Sequence, residues 1–323
     1  MRRAFYRTIF TLSLCAFSLL EAYPYNVPVF QWEPFADAVF LRRGKGAYHI
    51  LVNDVAIGDT VLEVDNVTHT FNYELGYRLG VRFQSNRKLT FEAFYFGPFL
   101  WEGEKSVTDT GNLYFAFNTP FANDFMQADR ARAKYHSKLE GAEMNFWVHM
   151  TPRRLNYFSF SWCLGARGLL LNEEFKVNFR KGGNRSDYKT STRNQMIGLQ
   201  GGATLEWNPV RRLTWGATVK FAAFGNQAKQ KSFLFDNNNT VTLRHFDQAG
   251  LHPAYLGDFL AFVQYHMGSR FHLEGALQYI YIDNAALAPK QIGYGTGSKS
   301  GDRLSFQSET NYYGFWFGAS LEF

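Results

Sequence analysis

Hydrophobic and polar residues alternate with a period of two along most of this chain. The segment FNYELGYRLGVRF (71–83) has aromatic or aliphatic residues at its odd positions and Asn, Glu, Gly or Arg at its even positions. FSFSWCLGAR (158–167) and LTWGATVKF (213–221) show the same alternation. Because successive side chains of a β-strand point to opposite faces, each segment predicts a strand with one apolar and one polar face.

The connections between such segments alternate between short and long. The ten predicted strands are 35–43, 71–83, 88–101, 132–149, 155–171, 191–207, 213–226, 256–266, 271–284 and 309–323. The short connections are 84–87, 150–154, 208–212 and 267–270, and the long ones are 44–70, 102–131, 172–190, 227–255 and 285–308. This order is typical of outer-membrane barrels. We therefore predict an all-β fold, an antiparallel transmembrane β-barrel of about ten strands with short periplasmic turns and long external loops.

A barrel of twelve strands is the alternative. AYHILV (47–52) and TVLEVD (60–65) would add a hairpin around the sequence NDVAIGD. Each of these two segments has six residues, whereas a tilted strand needs about 9–11 residues to cross a bilayer. We expect this hairpin to lie above the membrane as an extension of the barrel.

The last strand, YYGFWFGASLEF (312–323), is expected to pair with the first, FADAVFLRR (35–43). An open sheet edge in lipid would leave backbone N–H and C=O groups without partners, so the ring must close. The terminal aromatic residue, Phe323, resembles the C-terminal signal by which the barrel-assembly machinery recognises outer-membrane proteins. Aromatic residues near strand ends are expected to form an interfacial girdle; these are Phe158, Trp207, Trp215 and Tyr265.

The N-terminus has the pattern of a secretory signal peptide over residues 1–22. MRRAFYR is basic, TIFTLSLCAFSLL is an apolar run of thirteen residues, and Ala22 is a suitable cleavage point. Export with cleavage is consistent with an outer-membrane destination. Residues 23–34 are expected to form a periplasmic lead-in, with a plug folded into the barrel as the alternative, and residues 35–323 the barrel.

Removal of the signal peptide also changes the number of cysteines and the formal net charge of the chain. Cys15 leaves with it, so Cys163 is the only cysteine of the mature chain and no intramolecular disulfide is expected. The loss of three arginines and one glutamate reduces the formal charge from +6 to about +4. So small an excess does not indicate a nucleic-acid partner. The eight histidines lack metal-ligand spacing, so no metal site or cofactor is expected.

The segment QYIYIDNAALAPKQI (278–292) resembles the beta-barrel porin-7 family of bacterial outer-membrane proteins. The matching positions are Ala286, Leu287, Ala288, Pro289 and Gln291. YHSKLEGAEMNF (135–146), which contains Glu143 and Asn145, and CLGARGLLLNEEF (163–175) resemble middle strands of that family.

The resemblance extends over roughly residues 70–323 and departs from the family at Asn284 and Lys290, where glycine and an acidic residue are expected. It implies an outer-membrane barrel with a porin-like function. It brings no catalytic residues to this chain.

If the apolar face of each strand meets lipid, the polar face meets the lumen. The predicted lumen-lining residues, which would form any constriction, are Glu74, Arg78, Arg82, Glu92, Glu143, Arg167, Glu206, Lys220, Asp258 and Glu274, with His272 and Glu322 beside them. A ten-stranded barrel is narrow, and buried charges persist by pairing. The sequence therefore allows a lumen closed by ion pairs or a narrow charged pore.

The open and the closed lumen predict two different functions, and a third function is considered in addition. The first is a porin-like passive channel for small solutes. The second is a closed structural or adhesive surface barrel whose external loops bind a partner; loops 227–255 and 102–131 carry basic, Asn-rich and aromatic stretches. The third is an outer-membrane enzyme using His136, His252, Asp258 and the loop serines. The sequence does not bring a nucleophile, a base and an orienting group together, so we do not expect an enzyme. Solute, oligomeric state and loop partners stay open.

Overall fold

The computed structural model describes residues 30–44, 49–86, 88–116, 122–150, 157–210, 212–268, 270–293 and 301–323. The signal peptide, its cleavage point and residues 23–29 of the lead-in lie outside these ranges. Within them, no helix has the length and apolar character needed to cross a bilayer.

Twelve strands account for most of the described residues. They are β1 (Gln31–Arg43), β2 (Ile50–Asp54), β3 (Asp59–Glu63), β4 (Tyr73–Asn86), β5 (Leu89–Phe115), β6 (Ala128–His149), β7 (Phe158–Lys181), β8 (Asn184–Val210), β9 (Leu213–Asp236), β10 (Val241–His266), β11 (Phe271–Asp283) and β12 (Thr310–Leu321). One helical turn, α1 (Val64–Thr68), follows β3, and two 3₁₀ turns cover Asn123–Phe125 and Ala288–Gln291.

Ten of these strands form a closed antiparallel ring. The order is β1, β4, β5 and then β6 to β12 in sequence, and β12 returns to β1. The closing pair runs from Phe35 opposite Ser320 to Arg43 opposite Tyr312. Beyond β12, the N–H of Phe323 donates to the carbonyl of Trp32 at 2.9 Å, so the pairing continues to the last residue. The predicted closure of the last strand on the first is confirmed.

The β2–β3 hairpin lies outside the ring, as predicted. It pairs with the outer end of β5, where Val52 is opposite Phe115. At this height β4 has already ended its pairing with β5, which stops at Tyr77 and Gly97. The hairpin therefore continues the barrel wall along the edge of β5 that β4 leaves free. The first strand begins at Gln31, so part of the predicted lead-in belongs to the barrel.

An apolar belt surrounds the half of the ring that carries the short turns. Outward-facing side chains there are large, hydrophobic and exposed, such as Leu199 (63%), Phe221 (67%) and Leu277 (66%). Trp207 and Trp215 stand directly opposite each other near the short-turn end of the belt. A belt of this kind with an interfacial aromatic girdle is the lipid-facing surface of a transmembrane barrel. We call this part the periplasmic half.

Beyond the belt the strands continue into water, and their two faces exchange character. On β7, Phe160 and Leu164 are exposed on the outside and Arg167 is buried, whereas farther along Phe175 and Phe179 are buried. The change occurs within the sequence GLLLN (168–172). We call the extension beyond the belt the outer half.

Because the strands continue beyond the belt, the predicted extent of the long loops is wrong. Much of 102–131, 172–190 and 227–255 is paired strand, and the connection between β7 and β8 reduces to Gly182 and Gly183. Phe71, predicted on the lipid face, is fully buried inside the outer half, because the chain enters β4 only at Tyr73. The paired strands in the predicted loops and the burial of Phe71 have one physical cause. Above the membrane the interior of the barrel is apolar.

Candidate functional site: the barrel interior

In the periplasmic half, Arg82 is the centre of one ionic cluster. Its guanidinium lies 3.0 Å from Glu33, 3.1 Å from Glu92 and 3.1 Å from Glu274. Asn145 donates to the Glu92 carboxylate at 3.0 Å, which ties the cluster to β6. Strands from both sides of the ring therefore meet across the lumen at this level.

A second cluster crosses the lumen one layer farther out. Arg167 is 1% exposed and lies 3.1 Å from Glu143 and 3.0 Å from Asp258. Lys220 lies 2.8 Å from the other oxygen of Glu143, and Gln278 donates to Asp258 at 3.0 Å. Every one of these charges has an oppositely charged partner, which is the condition for a charge to remain stable away from water.

Among the described residues, two small cavities lie beside these clusters. One of about 90 Å³ lies near the periplasmic end, beside Arg82, Glu92 and Glu274. The other, of about 30 Å³, lies between Arg78, Arg167 and Asp258. Both spaces are lined by charged side chains of the two clusters and are large enough to hold water molecules.

Eight of the ten predicted lumen residues belong to this layered network. The other two lie apart from it: Glu206 accepts a hydrogen bond from Ser159 at 2.7 Å toward the periplasmic end, and Glu74 is half-buried at the outer end of β4. His272, also predicted inside, is fully buried beside His266 and lies 3.3 Å from Glu322.

Sequence reasoning missed Asp37, which pairs with Arg78 at 2.6 Å. The inward face of β1 also carries Phe35, Val39 and Leu41, all buried. Both faces of FADAVFLRR are therefore mostly apolar, and alternation alone does not show which of them meets the lumen.

The outer half is filled by a packed apolar core. Phe115, Phe125 and Phe179 form an aromatic cluster with ring centroids 5.0–5.9 Å apart. Trp101 packs against Tyr312 nearby, with ring centroids 5.1 Å apart. Val64 and Val67 of α1, both fully buried, close the core from the direction of the β2–β3 hairpin.

The segment that follows β11 folds inward into this core. Ala285, Ala286, Leu287 and Ala288 each have no solvent exposure. The Asn194 side-chain amide donates to the carbonyl of Ala286 at 2.9 Å and accepts from the Ala286 N–H at 2.8 Å. One asparagine thus satisfies both backbone groups of a residue that lies away from any strand, as a strand neighbour would do.

Glu173 connects this inward segment to the wall. Its carboxylate accepts from the N–H of Ala288 at 2.9 Å and from the hydroxyl of Tyr135 at 2.8 Å, and it lies 2.7 Å from the buried guanidinium of Arg43. Tyr188 accepts from the N–H of Gly293 at 3.0 Å at the far end of the segment. We call residues 284–293 the inward segment.

The structure does not assemble the enzyme candidates. His136 lies on the outer surface, 3.2 Å from Glu102, whereas Asp258 is held by Arg167 inside the barrel and His252 stacks on Phe306. In the described part of the chain, no group of three or more His, Cys, Asp or Glu side chains could hold a metal ion. Cys163 is buried and faces the lumen, between Trp147 and Gly202.

Comparison with known proteins finds similarity of fold only. No protein-family model matches the sequence and no curated protein matches it, so membership of the porin-7 family is not confirmed. The outer-membrane protease OmpT of Escherichia coli is 11% identical, with a TM-score of 0.48, over 94% of this chain and 99% of that one.

Two further solved structures are similar at lower scores. OprG of Pseudomonas aeruginosa is 7% identical, with a TM-score of 0.31, over 92% of this chain and 97% of its own. An outer-membrane channel of Pseudomonas putida F1 is 9% identical, with a TM-score of 0.29, over 94% of this chain and 96% of its own. Likeness at this level carries no argument about activity or substrate. By its own geometry, a closed ring with a lipid-facing belt, the chain is a β-barrel of the outer-membrane type.

Proposed function

We propose that this protein is a closed outer-membrane barrel that holds a structured outer half above the membrane as a surface scaffold. The observation that carries the proposal is the burial of Ala285–Ala288 inside the ring, where Asn194 and Glu173 satisfy their backbone groups. A backbone segment satisfied in this way stabilises the position it occupies, because moving it would leave buried polar groups without partners.

Two successive barriers support closure. The ionic layer around Arg167 and Glu143 crosses the lumen within the membrane, and the apolar core with the inward segment fills the outer half. A hydrated solute would have to displace both. The long strands of the outer half give this scaffold a rigid surface rather than a set of loop tips.

The test is conductance of the purified, folded barrel in a planar bilayer. We expect no discrete current steps from protein whose folded state is verified by heat-modifiable migration. Discrete steps from the wild-type barrel would contradict the proposal. The control is the same preparation after heat unfolding, which sets the background current.

A narrow gated pore for small solutes is the second candidate, favoured by the two cavities in the charged lumen beneath the inward segment. It would resemble the porin-like channel predicted from the sequence. The variant that tests it replaces residues 284–308 with Asn-Gly, a turn suited to a two-residue hairpin between β11 and β12.

A gated pore predicts that this shortened barrel conducts while the wild type is silent. The lumen clusters contain the cations Arg78, Arg82, Arg167 and Lys220 and the carboxylates Glu33, Asp37, Glu92, Glu143, Asp258 and Glu274. With carboxylates in excess, the current should be carried mainly by cations. A folded shortened barrel without current would contradict the gated pore and leave the closed scaffold standing.

A further inference from the structure

A groove on the outside of the outer half is lined almost entirely by basic residues. It has a volume of about 320 Å³ and its lining residues are Arg130, Arg132, Lys134, Lys176, Asn178, Arg180 and Arg185. We call it the arginine groove. It lies on three adjacent strands, β6, β7 and β8, and none of its lining residues belongs to the barrel interior described above.

Three arginines stand side by side at its outer end. Arg130 is directly opposite Arg180, and Arg180 is directly opposite Arg185. All three are exposed. Like charges directly opposite each other destabilise a sheet, so an anion bound to this row of three would offset the repulsion.

The neighbouring carboxylates do not neutralise this row. Glu104 pairs with Arg132 and lies 3.2 Å from Lys134, and Asp187 lies 2.8 Å from Lys176 and 3.7 Å from Arg185. Six cations against two carboxylates leave an excess of four positive charges in the groove.

The carboxylates of Glu104 and Asp187 are both held in the ionised form. A hydrogen bond from Arg132 lowers the pKa of Glu104. Burial raises the pKa of Asp187, but hydrogen bonds from Lys176 and Asn178 outweigh it and hold that pKa below its usual value. Asp129, next to Arg130 in sequence, accepts hydrogen bonds from the backbone amides of Gly111 and Gly182 instead. Among the described residues, neither Arg130 nor Arg180 has an ion pair or a side-chain hydrogen bond.

We propose that the arginine groove binds a sulfated polysaccharide outside the cell. Guanidinium groups bind sulfate through two parallel hydrogen bonds, which favours arginine over lysine for this recognition. Strands are about 4.8 Å apart, so the three arginines extend over about 10 Å, on the scale of one disaccharide. A partner outside the cell rests on the surface-scaffold function proposed above.

Two other polyanions fit the groove less well. Single-stranded nucleic acids are bound through stacking on aromatic rings in addition to phosphate contacts, and none of the seven lining residues is aromatic. Lipid phosphates lie at the edge of the apolar belt, whereas Arg180 lies ten residues beyond Leu170 on β7. With the rise and tilt of a barrel strand, that separation is about 25 Å above the belt.

The experiment measures binding of the full-length folded barrel in detergent to an immobilised heparin octasaccharide near physiological ionic strength. Arg130→Gln with Arg180→Gln removes the two unpaired arginines and keeps side chains of similar length and polarity. The matched control is Arg193→Gln with Lys229→Gln, a second exposed pair directly opposite each other on β8 and β9, outside the groove.

We expect the groove variant to weaken heparin binding by about tenfold or more and the control variant by less than about threefold. Equal weakening in both variants would show net-charge attraction alone and overturn the proposal. Absence of binding by the wild-type barrel would also overturn it.

Two other polyanions and one neutral polysaccharide test the assignment of the partner. Binding to a single-stranded DNA oligonucleotide as tight as binding to heparin would overturn it, as would binding only to vesicles that contain lipopolysaccharide. Neutral dextran should not compete. These outcomes are independent of the conductance measurement, so a conducting wild-type barrel would contradict the closed scaffold without deciding the binding of sulfated polysaccharide.

Discussion

Strand β7 passes through both halves of the barrel, and the two halves stabilise the same backbone in opposite ways. Within the membrane its outward residues meet lipid and its inward Arg167 joins an ionic layer. In the outer half its outward residues, such as Lys176, meet water, and Phe175 and Phe179 join an apolar core. The comparison shows that alternation of polar and apolar residues specifies a strand, but not whether its outer face meets lipid or water.

The largest expected effect comes from breaking the ionic layer. Arg167→Met leaves Glu143 and Asp258 with an unbalanced buried charge, which we expect to lower the free energy of unfolding by about 3–5 kcal/mol. Urea unfolding of the barrel in detergent measures it. The control is Lys189→Met, whose partner Glu174 is 2.8 Å away with both side chains about two-fifths exposed. A loss as large in the control would contradict the difference between buried and exposed pairs.

A cavity in the outer half should have the next largest effect. Leu287→Ala removes a fully buried side chain of the inward segment, which we expect to cost about 2–5 kcal/mol in the same unfolding measurement. Leu277→Ala is the control, because this side chain is 66% exposed on the belt and lipid fills the space it leaves. Similar losses in both variants would argue against a packed outer core.

Removing one buried hydroxyl at the end of the inward segment, which also accepts from Arg244, should matter less. Tyr188→Phe leaves the N–H of Gly293 without the hydroxyl that accepts from it at 3.0 Å, a loss of about 1–2 kcal/mol. Hydrogen exchange of the Gly293 amide should increase while exchange in the belt strands stays unchanged. Tyr279→Phe, whose hydroxyl accepts from Asn311 on the exposed surface, is the control. An unchanged Gly293 amide would contradict the contact.

The smallest expected effect is a dependence on pH confined to the outer half. Burial and the charge of Lys290 lower the pKa of His49 to about 4. Since the ring is neutral in the folded hairpin and protonates more readily when released, stability is present above about pH 6.5 and is lost as the pH falls toward 4.

Hydrogen exchange of the β2–β3 amides measures this dependence. We expect exchange, corrected for its intrinsic rate, to rise by about fivefold between pH 7 and pH 5, a figure reduced for the partial exposure of the ring. His49→Gln should remove the change. The belt strands, which lack this histidine, serve as the internal reference, and an equal change there would contradict the assignment to His49.

The sequence allowed much of the periplasmic half to be predicted, because charged and polar residues there recur on one face of most strands. Eight of the ten predicted lumen residues meet in the ionic layers. Glu206 and Glu74 lie apart from the ionic layers. The alternation predicts that a side chain points into the lumen, but it does not predict the level along the barrel axis at which that side chain lies. Asp37 was missed because both faces of its strand are mainly apolar.

The outer half could not be predicted in the same way. At GLLLN (168–172) both faces are apolar, so alternation ends where the solvent changes, and the pattern predicts that the strand ends there too. The inward segment was singled out in the sequence only by a resemblance that no family model confirms. Its position depends on Asn194 and Glu173, which are 92 and 115 residues away from their contacts. Contacts over such separations have no signature in one sequence.

The exchange of faces along β7 also constrains the order in which the barrel forms. The charged exterior of the outer half cannot remain in the hydrocarbon region, and its apolar interior cannot remain in water without its partners. The outer core can therefore be completed only after the polar strand ends have crossed the bilayer. Insertion and folding of this protein must accordingly be a single directional process, in which translocation precedes the final packing.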